Sequence, residues 1–167
     1  NAGRTRRQGV ELGLSGPLGG GWRYALAASW IDARFRSGYG FVAAGRVREV
    51  AAGNRMPGIP RSDAFAELAW ASPGARWRAA LEARAVGAVT VDDANTDAAA
   101  AHVRLALRGE WRGTARADGP LRLSAFARAE NLLDRRHVGS VIVNEGNGRY
   151  FEPAAGRGWT FGMRAAW

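Results

Sequence analysis

The sequence predicts an all-β chain, an antiparallel up-and-down meander of about seven strands, and three observations predict it. Apolar and polar residues alternate with a period of two in seven stretches, while helical periodicity is weak throughout. The connections between those stretches alternate between short and long. The final stretch, from Gly158 to Trp167, sets Trp159, Phe161, Met163, Ala165 and Trp167 on one face. Thr160, Gly162, Arg164 and Ala166 fall on the other, because successive side chains of a strand point to opposite sides.

Taken in order, the first stretch covers residues 7–16 and ends in Gly16-Pro17-Leu18-Gly19-Gly20-Gly21, a short turn. The second, 22–36, runs into a long loop, 37–62. The third, 63–71, and the fourth, 76–90, are joined by the tight turn Ser72-Pro73-Gly74-Ala75. A medium loop, 91–100, leads to the fifth, 101–112. The turn from Gly113 to Pro120 carries Asp118-Gly119-Pro120 and opens the sixth, 121–133. A second long loop, 134–156, precedes the last strand, 157–167. Gly9, Gly13 and Gly16 in the first strand read as places of close backbone approach or bending.

The two faces differ in chemistry. Leu26, Leu68, Leu81, Leu105, Leu107, Phe161 and Met163 share one, expected to be the convex side of a single twisted sheet. Glu11, Arg23, Glu67, Arg78, Glu82, Arg84, Arg104, Arg108, Glu110, Arg122, Arg128, Glu130 and Arg164 share the other, with both signs on neighbouring strands and cross-strand ion pairs expected. Apolar outside, charged inside, short turns at one end and long loops at the other is the pattern of an outer-membrane β-barrel, whose short turns are periplasmic. On that reading Trp22, Trp70, Trp77, Trp111 and Trp167 meet at the periplasmic edge as an aromatic girdle against lipid. Trp30 and Trp159 lie eight residues from Trp22 and Trp167, close to the roughly 9–11 residues of a tilted spanning strand. Seven strands leave two open edges that lipid cannot satisfy, so the seven are expected to be part of a larger barrel.

Composition narrows the function. The chain has 167 residues, no cysteine and no apolar run long enough for a membrane-spanning helix. Its net charge of +9 comes from arginine, since lysine is missing, and the arginines are dispersed along the strands rather than gathered in a basic run. That dispersal argues against a nucleic-acid partner, despite a pI near 11.4.

Three segments carry a family resemblance. Asn1 to Leu12 resembles the strand that opens the last third of TonB-dependent outer-membrane receptors. Asn131-Leu132-Leu133-Asp134-Arg135-Arg136-His137 resembles the family's NLFD-(K/R)-x-Y segment, with Leu133 in place of Phe and His137 in place of Tyr. Glu152-Pro153-Ala154-Ala155-Gly156-Arg157 resembles its P-x-P-G-R entry to the final strand, with Ala155 for the second Pro. The resemblance is greatest to the ferric-siderophore branch, including ferric-citrate-like receptors. It implies a 22-stranded barrel in the Gram-negative outer membrane, with an N-terminal plug and a TonB-contacting segment that residues 1–167 do not contain. The chain would then be the C-terminal part of the barrel, supplying wall, outer loops and an assembly signal. It also implies outer-membrane lipid, the barrel-assembly machinery, a ferric siderophore and TonB as partners, and no enzymatic activity. Trp159, Phe161, Met163 and Trp167 correspond to the terminal signal read by that machinery, with Trp167 as its closing aromatic. Rival readings are a small complete outer-membrane barrel of structural or adhesive role, and a soluble basic β-sheet binder.

Candidate chemistry concentrates in the two long loops. Tyr39, Phe41, Arg46, Arg48 and Arg55 lie in one, and Asn144, Asn147, Arg149, Tyr150 and Phe151 in the other. Arginine forks beside aromatics suit planar anionic chelates, which makes Arg46, Arg48, Arg55, Tyr39, Arg149 and Tyr150 the candidate substrate-binding residues. His102, on the charged face, and His137 have no metal-ligand spacing, and no cofactor or metal is expected. Asp93-Ala94-Asn95-Thr96-Asp97 imitates the start of a calcium loop, but Ala98 and Arg104 stand where Gly and Glu are required, so a solvated loop with Asx turns is expected. Ser140 lies three residues from His137 without a third catalytic partner. Gly146-Asn147-Gly148 lacks the helix of a phosphate loop.

Overall fold

A computed structural model describes residues 3–43, 46–114 and 121–167. The strands in chain order are β1 (Thr5–Gly19), β2 (Trp22–Phe35), β3 (Tyr39–Ala43), β4 (Arg46–Val50), β5 (Ser62–Ala71), β6 (Trp77–Val86), β7 (Val89–Thr90), β8 (Ala98–Ala99), β9 (His102–Thr114), β10 (Arg122–Glu130), β11 (Val138–Val141), β12 (Phe151–Pro153) and β13 (Gly158–Ala166). Seven of them form one antiparallel meander, ordered β1-β2-β5-β6-β9-β10-β13. The remaining six pair as hairpins, β3-β4, β7-β8 and β11-β12, inside the three longer connections.

Several boundaries differ from the expected ones. The first strand runs on through Pro17 to Gly19, with a register shift between Pro17 and Gly19 that absorbs the missing proline donor. The turn that follows is only Gly20-Gly21, and Gly19, Gly20 and Gly21 all have positive φ, a conformation that would strain a side chain. The fourth strand stops at Val86 rather than residue 90 because Val89-Thr90 pairs with Ala98-Ala99 instead of staying in the wall. The sixth stops at Glu130, where Asn131 turns to φ 50°. The Asp118-Gly119-Pro120 turn lies outside the described residues, as do Asn1 and Ala2 of the opening segment.

Register confirms the two faces. Tyr24, Leu68, Leu81, Leu107, Ala129 and Trp159 form one continuous row across β2 to β13. The side chains in register with that row, at every second residue, include Leu26, Leu105, Phe161 and Met163. Among the described residues no second sheet covers them: Leu81 is 45% exposed, Phe161 72% and Met163 84%. The thirteen expected charged residues all have the opposite parity. Phe65 and Phe126 are aromatic exceptions there, opposite Arg84 and Glu110. Phe126 lies over Gly162, where a Cβ would collide with its ring.

On the charged face an ion-pair chain crosses four strands. Glu67 Oε2 accepts from Arg108 Nη2 at 2.8 Å, and Arg108 Nε meets Glu82 at 3.2 Å. Glu82 Oε2 accepts from Arg128 Nη2 at 2.8 Å, and Arg128 Nε meets Glu130 at 3.2 Å. Arg108 reaches Glu67 over β6, and Arg128 reaches Glu82 over β9, each spanning one intervening strand. The glycines of β1 divide. Gly9 sits against the Trp30 carbonyl and Gly16 against the Tyr24 ring, but nothing approaches Gly13, so close approach accounts for two of the three.

The tryptophans follow a stagger. Trp159 is level in register with Tyr24, six residues short of Trp30. At the short-turn end Trp22 is level with Trp70, Trp77 lies two residues further out, level with Trp111, and Trp167 four further still. Both rows therefore drift by six residues over the five steps from β2 to β13. Trp22 and Trp70 rings lie 6.5 Å apart, Trp77 and Trp111 rings 6.4 Å.

Candidate functional site

The three longer connections meet at the long-loop end of the sheet, and the loop between β7 and β8 joins the other two. Val91 is fully buried there and Asp92 nearly so. Asp92 holds its own turn by accepting from the Thr96 backbone N–H at 2.8 Å and from the Thr96 hydroxyl. Asn95, at φ 58°, forms a two-way amide pair with Arg55: its Oδ1 accepts from Arg55 N–H at 2.7 Å and its Nδ2 donates to Arg55 O at 2.8 Å. Asn54 Nδ2 donates to Asp93 O at 2.9 Å, and Gly58 N–H donates to Thr90 O at 2.9 Å. On the other side Asn144 closes a similar pair, with its N–H on Val91 O at 2.9 Å and its Oδ1 on Asp93 N–H at 3.0 Å. In place of solvated Asx turns, residues 91–97 form a turn closed from Asp92 to Thr96, with Val91 to Asn95 buried or partly buried and Thr96 and Asp97 exposed: the Asp and Asn side chains satisfy backbone groups of two neighbouring loops that water would otherwise have to reach.

This arrangement sorts the candidate ligand residues. The Tyr39 hydroxyl donates to Asp93 Oδ2 at 2.7 Å. Its pKa is pushed up to about 12, first by burial and then by that bond to a carboxylate, so the phenol is a committed donor at neutral pH. Arg55 Nη2 pairs with Asp32 Oδ1 at 3.3 Å, and Arg34 Nε meets the same oxygen at 2.8 Å. The Tyr150 hydroxyl is 3.4 Å from Asp92 Oδ2. Tyr39, Arg55 and Tyr150 are thus tied into the scaffold. Arg48 on β4 and Arg149 are exposed, and neither has an ion-pair partner among the described residues. Arg149 is presented by Glu145, whose carboxylate accepts from the N–H groups of Asn147 and Arg149, each at 2.8 Å. Those bonds, the Arg149 N–H foremost, hold Glu145 below the usual carboxylate range. Arg46 lies on β4, and its side chain is outside the described residues.

The two later segments that carried the family resemblance bind each other. Asn131, 5% exposed, donates to Arg135 O at 3.0 Å and Ala155 O at 3.4 Å, and accepts from Arg135 N–H at 3.1 Å. Asp134 accepts from Arg157 N–H at 2.9 Å. One segment leaves β10, the other enters β13, and these bonds fix where the last hairpin begins. His137 stacks on His102, ring centroids 4.2 Å apart, while Ser140 donates to Glu152. His137 and Ser140 therefore serve different contacts. Asp92, Asp93, Asn95 and Asn144 as loop ties were not foreseen; the clue was the density of Asp and Asn in Val91-Asp92-Asp93-Ala94-Asn95-Thr96-Asp97.

A family model described as TonB dependent receptor-like, beta-barrel matches residues 1–132. Among solved structures, the siderophore receptor PiuA from Acinetobacter baumannii superposes with a TM-score of 0.75 at 20% identity, over 95% of this chain and 21% of that one. BauA, the ferric preacinetobactin receptor from Acinetobacter baumannii, gives 0.69 at 15% identity, over 96% and 22%. The copper transporter OprC gives 0.65 at 22% identity, over 97% and 24%. The chain spans between a fifth and a quarter of the length of these structures.

Proposed function

We propose that this chain, which belongs to the TonB-dependent receptor-like β-barrel family, is the C-terminal part of the barrel of a receptor that takes up ferric siderophores. The family is one of outer-membrane transporters of Gram-negative bacteria, not of enzymes. Residues 1–167 would supply wall, outer loops and assembly signal; plug, remaining strands and the TonB-contacting segment would belong to the rest of the receptor. β1 and β13 stand at the two edges of the sheet and do not pair with each other, which supports neighbouring strands on both sides over a small closed barrel.

The observation that carries the membrane reading is the tryptophan stagger. If both rows are level in a bilayer, six residues of roughly 3.4 Å over five strand steps of roughly 4.8 Å require a strand tilt of about 40°. That is within the ~35–45° of outer-membrane barrels. Trp22, Trp70, Trp77, Trp111 and Trp167 then form the periplasmic girdle against lipid, and Trp30 and Trp159 the outer one. In the loops, Arg48, exposed Arg149 and Arg46, which shares β4 with Arg48, are the ligand contacts, while Tyr39, Arg55 and Tyr150 hold the surface in place.

Uptake of labelled ferric siderophores by cells carrying the full-length receptor tests the cargo, with copper as the competing metal because one structural relative is a copper transporter. Arg48→Ala with Arg149→Ala should lower affinity at least about tenfold if both make charge-assisted bonds to the chelate. TonB-dependent copper uptake without siderophore uptake would replace the iron reading. For assembly, Trp159, Phe161, Met163 and Trp167 present alternate apolar contacts beside a free strand edge, a form suited to recognition by strand addition. Trp167→Ser should reduce outer-membrane receptor far more than Trp111→Ser; equal losses would leave Trp167 as a girdle residue alone.

A further inference from the structure

The chain has two histidines, and the fold brings them together. His102 opens β9 on the charged face, level with Val86 of β6. Its ring stacks on that of His137, with centroids 4.2 Å apart and planes 31° from parallel. His137 Nδ1–H donates to Arg135 O at 3.1 Å, which leaves the lone pair of the neutral ring on Nε2. His137 O accepts from Ala154 N–H at 3.0 Å, so this ring stands at the base of the β11-β12 hairpin, whose tip carries Arg149. Both rings are partly exposed. His102 shares an open cavity of about 360 Å³ with Val138, Ser140 and Val141 of the loop, so water reaches the stack. The charged groups that act on His102 are Arg104, two residues along β9, and Arg84, level with Arg104 on β6. Asp63 on β5 is taken by Arg84 at 3.0 Å. On the loop side Arg135 and Arg136 adjoin His137, Asp134 accepts from Arg157 N–H at 2.9 Å, and Glu152 accepts from Ser140. β7 and β8 carry no charged residue. Among the described residues no further His, Cys, Asp or Glu joins the two imidazoles as a metal-binding group.

We propose that the His102–His137 stack is a pH-sensitive latch, which holds the loop of residues 134–156 on the wall while the rings are neutral and releases it when both take up protons. Two imidazolium rings at this separation repel, with arginines near each and the neighbouring carboxylates already engaged. The two sites therefore titrate as a coupled pair, and the first proton opposes the second. Separated rings charge near the ordinary histidine value of about 6.5. The released loop thus binds more protons than the latched one, so the latch is present above about pH 6.5 and is lost as the medium falls below it. The NLFD-(K/R)-x-Y segment that residues 131–137 resemble has Tyr at this place. Tyr keeps an aromatic ring and stays neutral up to about pH 10, which makes His137→Tyr the discriminating variant. The latch depends on the loop placement described above, not on the identity of the cargo.

The test is hydrogen exchange of the full-length receptor without cargo, at about pH 7.5 and about pH 5.5, one unit to either side of the ordinary histidine value. Wild type is compared with His137→Tyr and with His102→Phe at the same pH, so that the intrinsic exchange rate cancels. At the higher pH the three proteins should exchange alike over residues 138–153. At the lower pH the wild type should exchange about tenfold faster there than either variant, the equivalent of one unit of pKa difference between latched and released states. The β3-β4 hairpin, residues 39–50, should show no such difference. A variant that loosens the loop at both pH values has lost packing, and it must still lose the pH dependence. Wild type and variants with the same pH dependence overturn the latch, as does an equal response in residues 39–50. Because no cargo is present, a failed siderophore assignment is seen separately, in uptake.

Discussion

The wall and the loop cluster of this chain are held together by opposite means. Of the buried residues among those described, Ala80 and Ala129 belong to the spanning part of the sheet, whereas Val50, Val91, Asp92, Ala99 and Asn131 belong to the loop cluster and Ala33 and Phe35 to the end of β2 beneath it. The wall has no core of its own. Its strands are laddered in order from β1 to β13, ion pairs cross its charged face between β5 and β10, and its apolar face is left open. The loops behave like a small globular protein, with a buried valine and a hydrogen-bonded polar network around it. The lesson is that a sheet can leave its hydrophobic side unpacked only where the surroundings are themselves apolar.

A charge placed on the open face separates the two regions most strongly. Leu81→Arg, mid-strand on the apolar side, should cost about 2–4 kcal/mol of folding stability in lipid vesicles. Ala106→Arg, on the opposite face beside Glu82, should cost less than about 1 kcal/mol. Urea titrations of the two variants of the full-length receptor give the difference, and equal costs would mean that the leucine face does not meet lipid. Next comes the loop cluster. Asn95→Ala removes both halves of its pairing with Arg55 and should destabilise the cluster by about 1–3 kcal/mol. Hydrogen exchange should quicken in residues 36–61 while β9 and β10 keep their protection; a uniform change would mean that loops and wall open as one unit.

pH separates the regions further. Because the folded pKa of Tyr39 lies at about 12, above an ordinary value of 10.0, its bond to Asp93 contributes fully below pH 10 and is lost as pH rises through 12. Phenolate absorbance against hydrogen exchange of residues 36–50 should show the loops loosening in that window, and Tyr39→Phe should abolish the pH dependence. The smallest effect belongs to the wall's own charges. Arg108 is half exposed, so Arg108→Gln should cost less than about 1 kcal/mol despite its two carboxylate partners. A larger cost would show that the ion-pair chain works as a unit.

What could be read from the sequence follows a physical division. In the wall, every side chain has one of two directions, so alternation alone separated Leu81 from Glu82 and Leu107 from Arg108, and the strand assignments survived boundary shifts of a few residues. The resemblance segments around Asn131 and Arg157 were visible as text, but that they clasp each other was not. In the loops no period constrains direction. Arg55 and Arg48 looked equivalent, yet one is clamped by Asp32 and the other is exposed. The role of Asn95 depends on Arg55, 40 residues away in sequence. Alternation and local motifs sufficed for the period-two strands, their two chemistries and the family resemblance. Which polar loop residues are spent on one another, how far the tryptophan rows are staggered and which loop arginines lack partners emerge only in the folded chain. Each of those depends on register and on contacts between distant segments, and a linear pattern does not encode either.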